Sequence, residues 1–225
     1  MSEKFPLPDP AGAARSPHPR RRPRRDAETN RERVLAAAAA VMAREGRHVP
    51  LALIAAEAGV GVGTLYRKYA DRDALLQAME YRAYGLLTRM LGDIANHDLT
   101  GLEAIREFLA GTLEIASELV LPLHGAPPLV TAEAVEARRE INARLDGLIA
   151  RGRADGTIAA AVNATDIIVF SALITQPLAH GPNWERLAAR QIAVFLNGLA
   201  DGPARLPGPP VTREDIETAF GKPQK

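Results

Sequence analysis

The stretch that decides the fold runs from Pro50 to Tyr69 and reads PLALIAAEAGVGVGTLYRKY. Its first half places Ile54, Ala55 and Ala58 on one face of a helix. Gly59 then permits the positive φ of a tight turn, and a very short second helix follows. Two helices joined by such a turn have the sequence form of a helix-turn-helix motif.

The second helix of this motif offers a polar face to a partner, since we expect Leu65 and Tyr69 on its buried side. In a DNA-binding helix-turn-helix the second helix enters the major groove. Hydroxyl, phenol and cationic groups suit hydrogen bonds to base edges and phosphates. The candidate DNA contacts are Val62, Gly63, Thr64, Tyr66, Arg67 and Lys68, followed by Arg72 at the start of the next helix. Spacing alone also fits a helical hairpin that serves only for packing.

Helical periodicity extends over nearly all of the central chain. Capping signals at Thr29, Asp71 and Thr100 predict helix starts. No stretch alternates convincingly with a period of two residues, so we predict an all-α fold with about nine helices. The later predicted helices end near residue 156 and span about 165–178 and 184–199.

Charge and proline are distributed unevenly along the 225 residues. Residues 1–75 hold 14 basic and 9 acidic side chains, whereas residues 76–225 hold 14 basic and 18 acidic ones. A basic end joined to an acidic body points to a polyanionic partner for the basic end. We predict a proline-rich disordered tail over 1–26, a helix-turn-helix domain over 27–87 with its motif at 50–69, a helical domain over 88–200 and a flexible tail over 201–225.

Several classes of function find no support in the sequence. The absence of cysteine excludes disulfides, thiolate zinc sites and a cysteine nucleophile, and is compatible with a reducing cytoplasm. The five histidines are scattered, and there is no HExxH, GxSxG or Walker pattern. The longest purely apolar run, Val34 to Ala43, is too short to span a membrane. We therefore expect a cytoplasmic protein that is not an enzyme and has no cofactor, metal or membrane partner.

A resemblance to a known family rests on one ungapped run of about 50 residues. Its matching positions are Val34, Ala37, Ala38, Met42, Gly46, Ile54-Ala55, Ala58-Gly59-Val60, Gly63-Thr64-Leu65-Tyr66, Tyr69 and Arg72-Asp73-Ala74-Leu75-Leu76. This run resembles the N-terminal domain of the TetR-type (tetracycline-repressor-like, TetR/AcrR) bacterial transcriptional regulators. The resemblance implies a ligand-responsive repressor that binds double-stranded palindromic operator DNA as a homodimer. An activator, a ligand-independent regulator and a helical interaction module without DNA binding are the alternatives.

The resemblance also implies roles for single residues. Thr64, Tyr66 and Lys68 match positions that contact phosphates or bases, and Gly63 matches a position where the backbone approaches DNA. Arg72 replaces the lysine that usually opens the fourth helix. The family often has threonine at the start of its second helix, where this chain has residues 49–51, Val-Pro-Leu, so that role is not carried over.

The two predicted helices after residue 165 are apolar on nearly every face, which requires burial all round. The resemblance implies that they form a four-helix dimer interface, and the alternative is a large single-chain core. The candidate interface residues are Ile167, Phe170, Leu173, Ile174, Leu187, Val194 and Phe195. It also implies a pocket for a small-molecule effector between about residues 80 and 180. The candidate lining residues are Phe108, His124 and Phe170, each of which also has an ordinary structural explanation.

An arginine cluster, Arg20-Arg21-Arg22-Pro23-Arg24-Arg25, lies directly before the first predicted helix. It fits a flexible arm that reaches phosphates or a minor groove, and equally a solvated basic tail that raises only nonspecific affinity. If the cluster is an arm, deletion of residues 1–25 is expected to weaken operator binding and to lower the salt slope by several units, whereas unchanged affinity and slope across a salt titration reject the arm.

Overall fold

The computed structural model describes residues 23–46, 48–119, 129–176, 184–200 and 210–220. Within these ranges the chain forms nine α-helices and one 3-10 helix, and it forms no strand. The all-α prediction is therefore confirmed. The elements are α1 (Pro23–Glu45), α2 (Leu51–Glu57), α3 (Val62–Lys68), α4 (Arg72–Ala95), α5 (Gly101–Glu114), the 3-10 helix η1 (Ala116–Leu119), α6 (Ala132–Ala154), α7 (Ala164–Ile174), α8 (Trp184–Leu199) and α9 (Arg213–Phe220).

The predicted start of α1 is wrong. The helix begins at Pro23, so Thr29 lies in its interior and cannot form the expected capping box. Proline is favoured in the first helical turn because its missing N–H has no helical partner there. The first helix therefore includes part of the arginine cluster, whereas Arg20 to Arg22 lie outside the described residues.

The capping predictions for the later helices are confirmed. The Asp71 carboxylate accepts a 2.8 Å hydrogen bond from the Ala74 amide at the start of α4. At the start of α5, Thr100 and Glu103 form both halves of a capping box. A further capping box, at Asn163, was not predicted, and it starts α7 at Ala164.

The predicted C-terminal tail is not uniform. Residues 201–209 and 221–225 lie outside the described residues, but residues 213–220 form α9. The Thr212 amide and hydroxyl both donate to the Asp215 carboxylate at 2.8 Å, which satisfies a donor at the start of this helix. The Asn163 side chain donates to the Val211 carbonyl at 2.9 Å, connecting the segment before α9 to the start of α7.

Two separate hydrophobic cores organise the described residues, and α4 contributes to both. The N-terminal core lies between α1, α2, α3 and the first turns of α4, where it ends with Leu75 and Met79. The C-terminal core begins on the same helix at Ala83 and Tyr84 and extends through α5, α6, α7 and α8. The packing therefore changes from one core to the other between Met79 and Ala83, before the predicted domain boundary at residue 87.

An ion-pair link spans the position on α4 where the two cores meet. Arg82 Nε donates to Glu32 Oε2 of α1 at 2.8 Å, and Arg82 also pairs with Glu118 of η1. Burial alone lowers the pKa of Arg82, but the bonds to Glu32 and Glu118 outweigh that effect and raise the pKa. Burial raises the pKa of Glu118, an effect that Arg82 opposes. This link ties α1 and η1 to one side chain of α4.

Candidate nucleic-acid interface

The turn between α2 and α3 has the geometry that the sequence predicts. Ile54, Ala55 and Ala58 are buried, and Gly59 has a φ of +64°. The Val60 amide donates to the Ala55 carbonyl at 2.9 Å, which closes the end of α2. A left-handed glycine with such a bond is a common way to end a helix and turn the chain sharply.

Helix α3 has only seven residues and is anchored by few side chains. Leu65 is 1% exposed, and Tyr69, directly after the helix, is also buried, as predicted. Val62, at the start of the helix, is 38% exposed, and Tyr66 is 54% exposed. One face of α3 therefore fixes the helix to the N-terminal core, and the other is open to solvent.

Two of the predicted DNA contacts orient each other on this open face. Arg67 donates a 2.8 Å hydrogen bond to the Thr64 hydroxyl oxygen, one turn earlier in α3. Because that oxygen accepts from Arg67, the hydroxyl hydrogen of Thr64 can point toward an acceptor outside the protein. A phosphate oxygen or a base acceptor satisfies such a donor.

Lys68 lies at the end of α3 beside the first helix. Its pKa is lowered, first because partial burial disfavours the charged ammonium, and second because Arg31 of α1 repels it. Glu28 and Glu32 partly offset this effect. Residue 31 was not among the sequence candidates, because the face of α1 that meets α3 depends on packing rather than on local pattern. A phosphate placed beside Lys68 and Arg31 relieves the repulsion between the two cations.

Arg72 has an intramolecular role that the sequence did not indicate. It donates a hydrogen bond to the Val49 carbonyl, directly before α2. Pro50, at the N-cap of α2, makes no side-chain capping bond, and the Arg72 tether instead holds the backbone in place directly before this helix. Arg72 is half-buried, and its contact with DNA stays a prediction.

Comparisons with known proteins agree with this geometry. Residues 34–79 match the sequence model of a family described as bacterial regulatory proteins, tetR family. The chain is similar to the crystal structure of a TetR transcriptional regulator from Streptomyces coelicolor, with 28% identity and a TM-score of 0.58 over 76% of this chain and 98% of that one. A TetR regulatory protein from Mycobacterium vanbaalenii gives 26% identity and a TM-score of 0.57 over 79% and 99%. The chain belongs to the TetR family.

A structure with lower sequence identity shows the fold alone. The ketosteroid transcriptional regulator of Mycobacterium tuberculosis is 16% identical, with a TM-score of 0.59 over 76% of this chain and 95% of that one. No curated protein matches the chain. As a TetR-family member the chain is a DNA-binding transcriptional regulator, and its α2–α3 motif lies within the residues that match the family.

Two of the three candidate effector-site residues of this TetR-family chain lie within the described residues, and both belong to the C-terminal core. Phe108 is 2% exposed and packs in the C-terminal core, as the ordinary explanation required. Phe170 stacks on Phe195 with ring centroids 3.8 Å apart, whereas His124 lies outside the described residues. No sequence pattern indicated the buried polar cluster in which the Tyr84 hydroxyl donates to Glu80 at 2.5 Å and Arg138 donates to Tyr84 at 3.3 Å.

The predicted dimer residues divide into three groups by their exposure. Ile167 and Ile174 are buried in the C-terminal core of their own chain, so they are not available at a surface. Leu173, Leu187 and Val194 are 57%, 47% and 57% exposed. Phe170 and Phe195 are half-buried, because each covers one side of the other ring. Val169, which was not among the sequence candidates, is 49% exposed one turn before Leu173.

Two properties of the described residues bear on the excluded functions. No group of three or more histidine, aspartate or glutamate side chains there is placed to hold a metal ion. None of the helices described is long and apolar enough to cross a membrane.

Proposed function

We propose that the chain is a ligand-responsive repressor that binds a palindromic operator as a homodimer. The observation that carries DNA recognition is the open side of α3, where Tyr66 and Lys68 are exposed and Thr64 is half-buried while Leu65 anchors the helix in the core. A helix of seven residues reads only a few base pairs, so useful specificity requires two copies on two half-sites. The repressor then excludes RNA polymerase from the same stretch of DNA.

The exposed apolar residues of α7 and α8 support the homodimer. Val169 and Leu173 lie four residues apart on α7, while Leu187 and Val194 lie seven apart on α8, so each pair shares a helix face. The Phe170–Phe195 stack brings the two helices together. Apolar patches of this kind on a monomer mark interaction surfaces, and a two-fold axis pairs the same patch on both subunits.

The buried polar cluster supports a response to a small molecule. Glu80 is 3% exposed, accepts from Tyr84 and also accepts from the Leu129 amide at 3.2 Å. Burial and the bond to Glu80 both raise the pKa of Tyr84. Arg138 donates to the Leu129 carbonyl at 2.8 Å. Directed polar groups within an apolar interior give ligand sites their specificity, and we place the effector beside this cluster.

A gel-shift assay on DNA flanking the chain's own gene tests the proposal. We expect a salt-sensitive shift with the stoichiometry of one dimer per operator, protection of a palindromic sequence, and lower output from a reporter promoter that contains the operator. Higher reporter output identifies an activator instead. The absence of any shift at low salt, with folded dimer, rejects sequence-specific DNA binding and leaves the interaction module.

The effector is tested separately with a panel of small molecules. We expect one of them to raise the melting temperature and release the operator. Glu80→Gln is expected to weaken that release while leaving operator affinity without the compound unchanged. Failure of the entire panel to alter operator binding favours a ligand-independent regulator.

A further inference from the structure

The first turn of α3 presents an isolated apolar side chain to solvent. Val62 is 38% exposed, whereas Val60 two residues earlier is partly buried and packs against the N-terminal core. Gly61 precedes Val62 and Gly63 follows it, and both are exposed. The isopropyl group of Val62 therefore projects between two positions that have no side chain.

The protein's own fold does not require either of these glycines. Among the described residues, neither Gly61 nor Gly63 has a positive φ. A Cβ added at Gly61 meets the Thr64 hydroxyl oxygen at 3.9 Å, and one added at Gly63 meets an Arg67 nitrogen at 3.7 Å, both ordinary contacts. Alanine fits both sites, and it stabilises a helix relative to glycine at position 63. The missing side chains therefore leave space for a partner that closely approaches Val62.

The side chains at the start of α3 limit the ways in which this helix can recognise a DNA base pair. Arginine, asparagine and glutamine make the paired hydrogen bonds that distinguish guanine and adenine in the major groove. None of these occupies the first turn of α3, which consists of Val62, Gly63 and Thr64. Thr64 accepts from Arg67 and keeps one hydroxyl hydrogen to donate, so it cannot make such a pair of hydrogen bonds. An apolar side chain distinguishes a base pair by contact with the 5-methyl group of thymine, which cytosine lacks.

We infer that Val62 is a specificity-determining residue that selects thymine at one position of each half-site by packing against its 5-methyl group. The inference rests on the proposed operator binding by α3. At this position the base pair is recognised by van der Waals contact rather than by hydrogen bonds. Such a contact requires a close approach, which Gly61 and Gly63 permit because they have no side chains.

The test is a thermodynamic cycle between one protein side chain and one DNA methyl group. The wild-type dimer first selects its operator from a random duplex library. Each thymine of the selected operator is then replaced by deoxyuridine, symmetrically in both half-sites, which removes the methyl and keeps all base-pair hydrogen bonds. Dissociation constants are measured for the wild type, Val62→Ala and the control Val130→Ala, whose exposed valine lies outside the helix-turn-helix.

We expect one thymine position at which deoxyuridine weakens wild-type binding about threefold to fivefold per half-site, the scale for removing one buried methyl group. Val62→Ala is expected to bind the thymine operator more weakly and to show no further weakening with deoxyuridine there, whereas Val130→Ala behaves as the wild type.

Equal affinity for all duplexes, or the same uracil sensitivity in Val62→Ala, overturns the inference while operator binding stands. Loss of folding in Val62→Ala also overturns it, because an exposed side chain has no such role. If no sequence is enriched, the proposed operator binding fails and the inference fails with it.

Discussion

The open face of α3 and the open face of α7 and α8 are the two surfaces on which function depends, and they differ in construction. The α3 face is polar apart from Val62, and its residues come from seven consecutive positions. The face of α7 and α8 is apolar and combines Leu173 with Val194 from helices that lie apart in sequence. A polar face that fits a polyanion is thus encoded locally, whereas the apolar face depends on the packing of the entire domain.

The dimer face provides the largest expected effect. Leu173→Asp combined with Val194→Asp places carboxylates in the proposed subunit interface, where they are desolvated without partners. We expect a monomer in analytical ultracentrifugation and operator affinity lower by about a hundredfold or more, since the second half-site no longer adds avidity. Val130→Asp, at a 68% exposed position, is the control and should stay dimeric. A double variant that remains a dimer contradicts the proposed interface.

The buried side of α3 gives the next effect, on stability. Leu65→Ala removes a side chain that is 1% exposed in the N-terminal core. We expect the free energy of unfolding to fall by about 2–5 kcal/mol, measured by chemical denaturation. Tyr66→Ala, the neighbouring exposed position, is the matched control and should change stability by no more than about 0.5 kcal/mol. If Tyr66→Ala destabilises the protein as much as Leu65→Ala, the two faces of α3 are assigned wrongly.

The exposed side of α3 gives a smaller effect, on binding alone. Lys68→Ala should weaken operator binding about tenfold and reduce the salt slope of the dimer by about two units, because one DNA phosphate in each of the two half-sites is no longer neutralised. A salt titration of the dissociation constant measures both quantities, with thermal unfolding as the check on the fold. An unchanged slope means that Lys68 does not bind a phosphate.

The smallest effect is a dependence on pH. Burial and Arg31 lower the pKa of Lys68, so its charged form is disfavoured in the free protein. A bound phosphate favours the ammonium and raises that pKa, so binding takes up a proton once the pH passes the lowered value. Operator affinity should therefore fall severalfold between about pH 8 and 10, whereas Lys68→Arg stays charged and loses less. Identical pH profiles for the two proteins contradict the proposed contact between Lys68 and DNA.

These two faces also explain what the sequence could predict. The motif at 50–69 contains its own helix, turn and anchors, so local spacing was enough to predict the open face of α3 and the buried Leu65. Helix α7 is apolar on nearly every side, so periodicity could not separate the buried Ile167 from the exposed Val169. The tether from Arg72 to Val49 spans 23 residues, and no local pattern indicates such a partner.

The shared helix α4 determines how far the molecule can be divided. A fragment ending at residue 87 keeps Leu75 and Met79 with their own core, but it also carries Tyr84 and Leu87 away from theirs. The apolar surface freed in this way makes the fragment prone to aggregate. A fragment ending before residue 80 avoids that surface, but it gives up Arg82 and the ion pair with Glu32. Neither the N-terminal nor the C-terminal domain can therefore be cut out cleanly for engineering. A chimera with another regulator should have its junction within α4 and should include an η1 that matches Arg82.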